Sequence, residues 1–341
     1  MRLTRRSVIA TSALLVMPHI ARAATLTDGA GRMVTVPART ERVFPAGPPA
    51  AIQHYTLQPR SLLGWPRANR PAELPYLDPE IGARAEIGRL TGRGNTTNLE
   101  VLLALKPDLI LDIGSVARTF IEVADRVAAQ TGIPYALLDG RFDKLVESYR
   151  LHGQLTGETA RAEDLARACD DVIRTCRARI ATVPNEKRPR VYYARGPRGL
   201  DTGLGGSINV ETIEFMGAVN VAGGVRGGLA TVSLEQVLIW NPEVIITIDQ
   251  DFAASVRSDP SWAALAAVRE GRVHLSPKLP FGWVDFPPAV NRIPGLWWLG
   301  KVLYPTLFPE DLTAITRDFY GRFYHRVPDD AQIAHVLAGR G

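Results

Sequence analysis

The sequence predicts an α/β chain of two similar lobes joined by one long helix, with a cleft between the lobes. Three observations carry this reading. One pattern occurs twice: residues 98–114 read NLEVLLALKPDLILDIG and residues 233–249 read SLEQVLIWNPEVIITID. Aligned without a gap, the copies share six of seventeen positions, and other pairs keep their physical type, as Asp108 does with Glu243. Each copy runs from a polar cap residue through a short amphipathic helix to a proline, then into an apolar stretch of strand length. Such stretches suit parallel strands buried on both faces. The second observation is length: about 318 residues remain after an export segment, more than one core usually holds. The third is a helical pattern over residues 158–182, between the two copies. At 1.5 Å per residue it spans about 37 Å, enough to join two lobes. A duplicated lobe implies a cleft, and clefts are where ligands bind.

Residues 1–23 have the composition of an export signal. Arg2, Arg5 and Arg6 precede an apolar run, and Ala21-Arg22-Ala23 ends it with small residues. Thr4-Arg5-Arg6-Ser7 fits a twin-arginine signal, with Sec export as the alternative. The apolar run is too short to span a bilayer, so the mature chain is expected in the periplasm. The signal also explains the basic balance. Taking its four arginines (Arg2, Arg5, Arg6 and Arg22) from the chain's 40 basic residues leaves 36 against 35 acids. A near-neutral protein gives no reason to expect nucleic acid as a partner.

The first lobe, residues 24–142, opens with a hairpin over 25–37 turning at Asp28-Gly29. A strand at residues 42–44, an apolar helix through Leu57 and a short strand at residues 62–65 come next. An irregular arginine-rich stretch precedes the first repeat copy; a helix over 116–131 and a strand over 133–138 follow it. Residues 143–184 form the connecting helical segment. The second lobe, residues 185–341, restarts with a strand at 190–195 and a glycine loop at Gly203, Gly205 and Gly206. A helix over 208–216, the second copy, a helix over 262–268, a strand over 272–275 and an aromatic loop over 277–288 follow. Helices over 291–303 and 309–324 end the chain.

Several chemistries are absent from this pattern. No phosphate-binding loop, dinucleotide fingerprint or serine elbow is present. The six histidines are scattered without zinc spacing, and His54 and His274 stand alone. Cys169 and Cys176, seven residues apart on one helix, lie about 10 Å apart along its axis, too far for a disulfide. No enzyme activity, cofactor or metal site is expected.

The ordered set of motifs (DGAGRMVTVP, RVF, the two repeat copies and PSWAALAAVREGRVHLSP at 260–277) resembles the periplasmic substrate-binding proteins of ABC importers. The resemblance covers essentially the whole mature chain and is nearest to the class serving ferric siderophores, haem and cobalamin. It implies two Rossmann-like lobes bridged by one long α-helix, small hinge motion, a monomer, and delivery of a cleft-bound ligand to an inner-membrane permease dimer. It also implies that an exposed glutamate on each lobe docks on the permease. Glu100 and Glu235, shared by the repeat copies, match those positions; the competing role is a capping-box acid at each helix start.

Ligands of such lobes bind beyond the carboxyl ends of the strands. The residues expected there are Arg93, Arg118, Tyr193, Arg195, Arg226, Trp283, Asp285 and Arg292. Guanidinium forks with aromatic rings suit a bulky anionic chelate, so a ferric siderophore is expected, with haem propionates also fitting. Molybdate or tungstate is the alternative, because arginines beside glycine-rich backbone also hold small oxyanions. A siderophore would use Trp283, Phe281 and Tyr193 in the cleft, and an oxyanion would not. An exported two-lobed enzyme is the third reading, and zinc or manganese carriage is excluded for want of clustered histidines.

Overall fold

The computed structural model describes residues 23–37, 39–92, 94 and 96–340; the rest of the export segment and Arg93 lie outside the described residues. The chain begins with an antiparallel hairpin, β1 (Ala24–Thr27) and β2 (Met33–Val36). Its turn docks on the first sheet, where Gly29 N donates to Leu137 O at 2.7 Å and the Asp28 carboxylate accepts from Leu137 N at 3.1 Å. A Cβ on Gly29 would lie 2.7 Å from the Asp139 nitrogen, so this approach requires glycine. The hairpin thereby covers a sheet edge that would otherwise expose unpaired backbone.

That sheet is parallel, ordered β3 (Val43–Pro45), β4 (Leu109–Gly114), β5 (Tyr135–Asp139). Between these strands come α1 (Pro48–Leu57), α2 (Pro79–Gly82), α3 (Leu99–Leu105) and α4 (Arg118–Thr131). Residues 62–65, expected as a strand, make only single bridges, Val43 to Leu62 and Trp65 to Glu86. Gly64 sits so close to Ala85 O that the segment is pinned locally instead of extending the sheet.

Two helices follow, α5 (Leu145–Thr156) and α6 (Thr159–Ile180). Gly157 takes the left-handed conformation (φ +81°) that ends α5 and lets α6 fold back along it. At 22 residues, α6 is about 33 Å long. Its apolar stripe (Leu165, Cys169, Ile173, Cys176 and Ile180) is buried, and both thiols are free. Burial pushes the Cys176 thiol up to about 12, so these are packing residues, not nucleophiles. One apolar cluster runs from α1 through α6 to the C-terminal helices, so the lobes share a packed spine.

The second sheet is also parallel, ordered β11 (Val273–Leu275), β10 (Val244–Thr247), β6 (Arg190–Ala194), β8 (Val219–Asn220). A separate antiparallel pair, β7 (Asp201–Gly203) with β9 (Leu229–Thr231), lies beside the end of β6. The helices of this half are α7 (Glu211–Phe215), α8 (Leu234–Trp240), α9 (Gln250–Ser255), α10 (Ala266–Arg269), α11 (Arg292–Leu303), α12 (Leu312–Phe323) and α13 (Asp330–Leu337), the last beyond any expected element.

The repeat copies are the same object in three dimensions. Helices α3 and α8 each have seven residues, start at a cap whose side chain accepts from the third residue on, and end on a left-handed residue, Lys106 or Asn241. The acid after each proline ties its strand to the preceding one: Asp108 accepts from Arg42 N at 3.0 Å, and Glu243 from Arg190 N at 2.8 Å. Arg42 and Arg190 return the contact, bonding the C-terminal carbonyls of α3 and α8. This clamp satisfies orphan helix carbonyls and explains the shared spacing.

His54 is not solitary. Its Nδ1 lies 2.9 Å from His152 Nε2 and its Nε2 2.8 Å from Ser61 Oγ, all buried. Burial drives His54 down to about 3 and His152 well below the usual range. Both therefore stay neutral when folded, while the unfolded chain protonates them below about pH 6.5. Their stabilising contribution is complete above that pH and is lost as pH falls below it. Each histidine should cost about 1.4 kcal/mol per pH unit between pH 6 and 4.5. Urea unfolding of wild type and His152→Asn checks this: the variant's pH slope should be shallower by one histidine, and equal slopes would contradict it.

Candidate functional site

A cleft of about 800 Å³ opens at the carboxyl ends of the first sheet, within the usual range for ligand pockets. One wall is built from the turn after β3 (Gly47, Pro48, Pro49), the end of β4 (Asp112 to Ala117), and Asp139 and Arg141 after β5. The facing wall comes from the second lobe: Gly206 to Asn209, Glu211, Gly227, Gly228 and Pro288. Local sequence explains the first wall. Strands β4 and β5 run out of side chains at Gly114 and Gly140, which touch: a Cβ on Gly140 would lie 2.7 Å from Gly114 Cα. Helix α4 then opens onto the cleft with Ala117 as its cap, which offers no side-chain acceptor to the first-turn N–H groups. Uncapped N–H groups and the helix dipole favour an anion at that end.

The facing wall is a double glycine loop, laced by Leu204 N to Gly228 O at 2.9 Å and Gly205 N to Val225 O at 2.9 Å. It exposes backbone and short polar side chains (Ser207, Asn209) instead of bulk. A Cβ on Gly205 would lie 2.4 Å from Gly223 O, so close pairing of the two strands of the loop needs glycine there.

Charges in the cleft are largely answered. Arg141 pairs with Asp139 at 2.7 Å, which raises the guanidinium's already high value. Glu211 pairs with Arg292 at 3.0 Å; burial raises the carboxyl, and the guanidinium opposes that. Asp112 has no cationic partner among the described residues and is pushed up to about 6, chiefly by burial. Its oxygens accept from Thr91 Oγ1 at 3.0 Å and Tyr135 OH at 3.2 Å.

The expected site residues divide sharply. Tyr193, Trp283, Asp285 and Arg292 are all buried, at 1% exposure or less, and none lines the cleft. Tyr193 donates to Asp285 Oδ2 at 2.9 Å, Asn209 donates to Asp285 Oδ1 at 2.8 Å, and Arg195 pairs with Asp285 at 3.2 Å. Asp285 thus fixes Asn209, which does line the cleft, from behind. Trp283 and Phe281 belong to the apolar spine, where Gly295 leaves room for the Trp283 carbonyl. The reason is the β7–β9 pair: Arg195 N bonds Asp201 O at 2.8 Å, so the end of β6 is capped by its own chain. Arg118 points outward, 91% exposed and paired with Glu122. Of the named arginines among the described residues, Arg226 lies nearest the cleft, with Nη1 3.6 Å from where a Cβ on Gly206 would be. Arg93 lies outside the described residues.

Arg141, Ser115, Ser207 and Asn209 were not among the expected residues. Arg141 had a signal, since it follows Asp139-Gly140 at a strand end; the others are common polar residues in loops.

Glu100 and Glu235 lie in the first turns of α3 and α8, exposed and without an ion pair to any described residue. Neither is a capping-box acid, because that third helical position holds Val101 or Gln236.

The periplasmic binding protein family matches residues 76–279 of the chain. Molybdate-binding protein MolA of Haemophilus influenzae is 29% identical over 343 residues, covering 90% of this chain and 93% of its own. A cobalamin-binding protein of Halobacterium salinarum is 28% identical over 252 residues, covering 71% and 62% respectively. Among solved structures, an ABC transporter solute binding protein from Sulfurospirillum deleyianum superposes with a TM-score of 0.84 at 27% identity, covering 92% of this chain and 98% of its own. Molybdate-bound MolA of Haemophilus influenzae superposes with 0.75 at 26% identity, covering 90% and 99%. The chain belongs to the periplasmic binding protein family, the ABC-importer components that capture small molecules and deliver them to a membrane permease.

Proposed function

We propose that the cleft captures a small oxyanion of the molybdate and tungstate class, not the ferric siderophore expected from sequence. The observation that carries this is the location of the rings. Trp283, Phe281 and Tyr193, which would cover an organic chelate, are buried in the core, and Phe120 alone among aromatics lines the cleft. What faces the cleft is glycine backbone, the hydroxyls of Ser115 and Ser207, the Asn209 amide and the open end of α4. Such groups hold oxyanions by hydrogen bonds with little desolvation cost. Arg226 supplies an unpaired cation at the edge of the same wall, and the likeness to molybdate-bound MolA supports the class. A second reading keeps an iron chelate, favoured by one fact: about 800 Å³ exceeds what a tetrahedral oxyanion fills.

Calorimetric titration separates the two. Sodium molybdate and tungstate should each bind saturably at one site, and a ferric catecholate should give no heat; the reverse pattern would restore the chelate reading. Arg226→Ala should weaken molybdate binding about tenfold or more, the worth of one charge-assisted hydrogen bond. Unchanged affinity would remove Arg226 from the site.

For delivery, the matched first-turn positions of Glu100 and Glu235 support them as the permease-docking acids. Next to them the helices expose Val101, Leu103 and Ile239, apolar surface that suits a protein contact.

A further inference from the structure

We propose that Asp112 takes up one proton as the anion enters, so that ligand capture is coupled to protonation of this carboxyl. The inference rests on the oxyanion reading above. Its starting point is a conflict in the site itself. Asp112 lines the cleft, is only 4% exposed, and has no cation beside it among the described residues. The other two acids of the cleft are neutralised, Asp139 by Arg141 and Glu211 by Arg292. An ionised Asp112 would repel the anion across a poorly hydrated space, where charge interactions are strong.

The hydrogen bonds around Asp112 accommodate both protonation states without movement. Thr91 Oγ1 lies 3.0 Å from Asp112 Oδ1 and 3.3 Å from Ala46 O, yet a hydroxyl has one proton to give. With Asp112 ionised, Thr91 donates to it. With Asp112 protonated, the carboxyl donates to Thr91, which turns its own proton to Ala46 O. Tyr135 OH donates to Oδ2 in either state.

The surroundings contain few competing charges. Residues 43–51, from β3 into α1, have no titratable side chain. From β5 the titratable groups are Tyr135, whose phenol burial pushes upward, and Asp139, held by Arg141. From α4, Arg118 points to solvent with Glu122. Across the cleft stand Glu211, paired with Arg292, and Arg226. The repeat does not demand an acid here. Position 112 corresponds to Thr247 in the second copy, a buried neutral residue at the end of β10. Burial already raises the Asp112 carboxyl to about 6, and an anion nearby favours the neutral form further. The sign follows: anion affinity rises as pH falls through the range where free Asp112 is ionised.

The test is molybdate calorimetry on the purified protein from pH 8.5 to 6.5, in two buffers of different ionisation enthalpy. Wild type should bind up to tenfold more tightly per unit fall in pH and take up about one proton. Asp112→Asn should bind with little pH dependence and be tighter than wild type at pH 8.5. Should Asp112→Asn fail to fold, the wild-type proton count decides alone: zero protons taken up overturns the coupling. Equal slopes for both proteins also overturn it, leaving the oxyanion reading intact. Molybdate binding to neither protein, with a ferric chelate binding to both, overturns that reading and the coupling together.

Discussion

Arg292→Met should lower the free energy of unfolding by about 3–5 kcal/mol at neutral pH, the usual cost of removing one partner of a buried ion pair. Arg292 is the first residue of α11 and is 1% exposed. Its guanidinium donates to Glu211 Oε2 at 3.0 Å, to Gly140 O at 2.8 Å and to Ala289 O at 3.2 Å, and lies over the Phe142 ring. Glu211 in turn accepts from Phe142 N at 2.8 Å. One side chain thus ties the end of β5, the start of α7 and the loop before α11 behind the cleft floor. Burial opposes the charge on both partners, so the pair is tolerable only because every donor finds an acceptor. Methionine fills much of the volume but leaves Glu211 unpaired and Gly140 O short of a donor. Urea unfolding checks the loss, and Glu211→Gln/Arg292→Met should cost less than the sum of the single changes. A loss below about 1 kcal/mol would show that the pair merely repays its own desolvation.

Glu100→Ala with Glu235→Ala should cut ligand uptake by reconstituted permease more than tenfold while leaving ligand affinity and folding unchanged. Both acids are exposed, unpaired and matched between the lobes, so neither holds the fold. Glu235 is kept below the usual carboxylate range, first by the backbone N–H of its own residue and next by Ser233, so it stays charged at neutral pH. Two charged points on two lobes give a docking partner both position and orientation, since electrostatic complementarity fixes register as well as rate. Each single change should have an intermediate effect that grows weaker at high salt. Full uptake by the double variant would remove these acids from the docking surface.

The fold was legible because its main signals are local. The Asn98 and Ser233 caps, the prolines and the apolar runs of β4 and β10 each act within a few residues of sequence. The repeat made them count twice. The segment around Leu62 misled because its alternation reflects packing beneath a single bridge, and α13 lacked a strong apolar pattern. The site was far less legible. Tyr193 and Arg195 do sit at a strand end, but β7 and β9, remote in sequence from each other, pair across that end and close it. Trp283 and Phe281 looked like ligand covers because loops rich in rings often are; here they face the spine.

By itself the sequence determined the two-lobed α/β architecture and the long helix between the repeats. It also determined the pairing of Glu100 with Glu235, because periodicity, capping and duplication are written along the chain. Only the tertiary structure decided which polar groups meet in the cleft, where the aromatic rings lie, and that His54 and Asp112 are buried. Those outcomes depend on contacts between residues up to about a hundred positions apart in the chain, as with His54 and His152 or Tyr193 and Asp285. Burial, not residue type, sets their charge and their role.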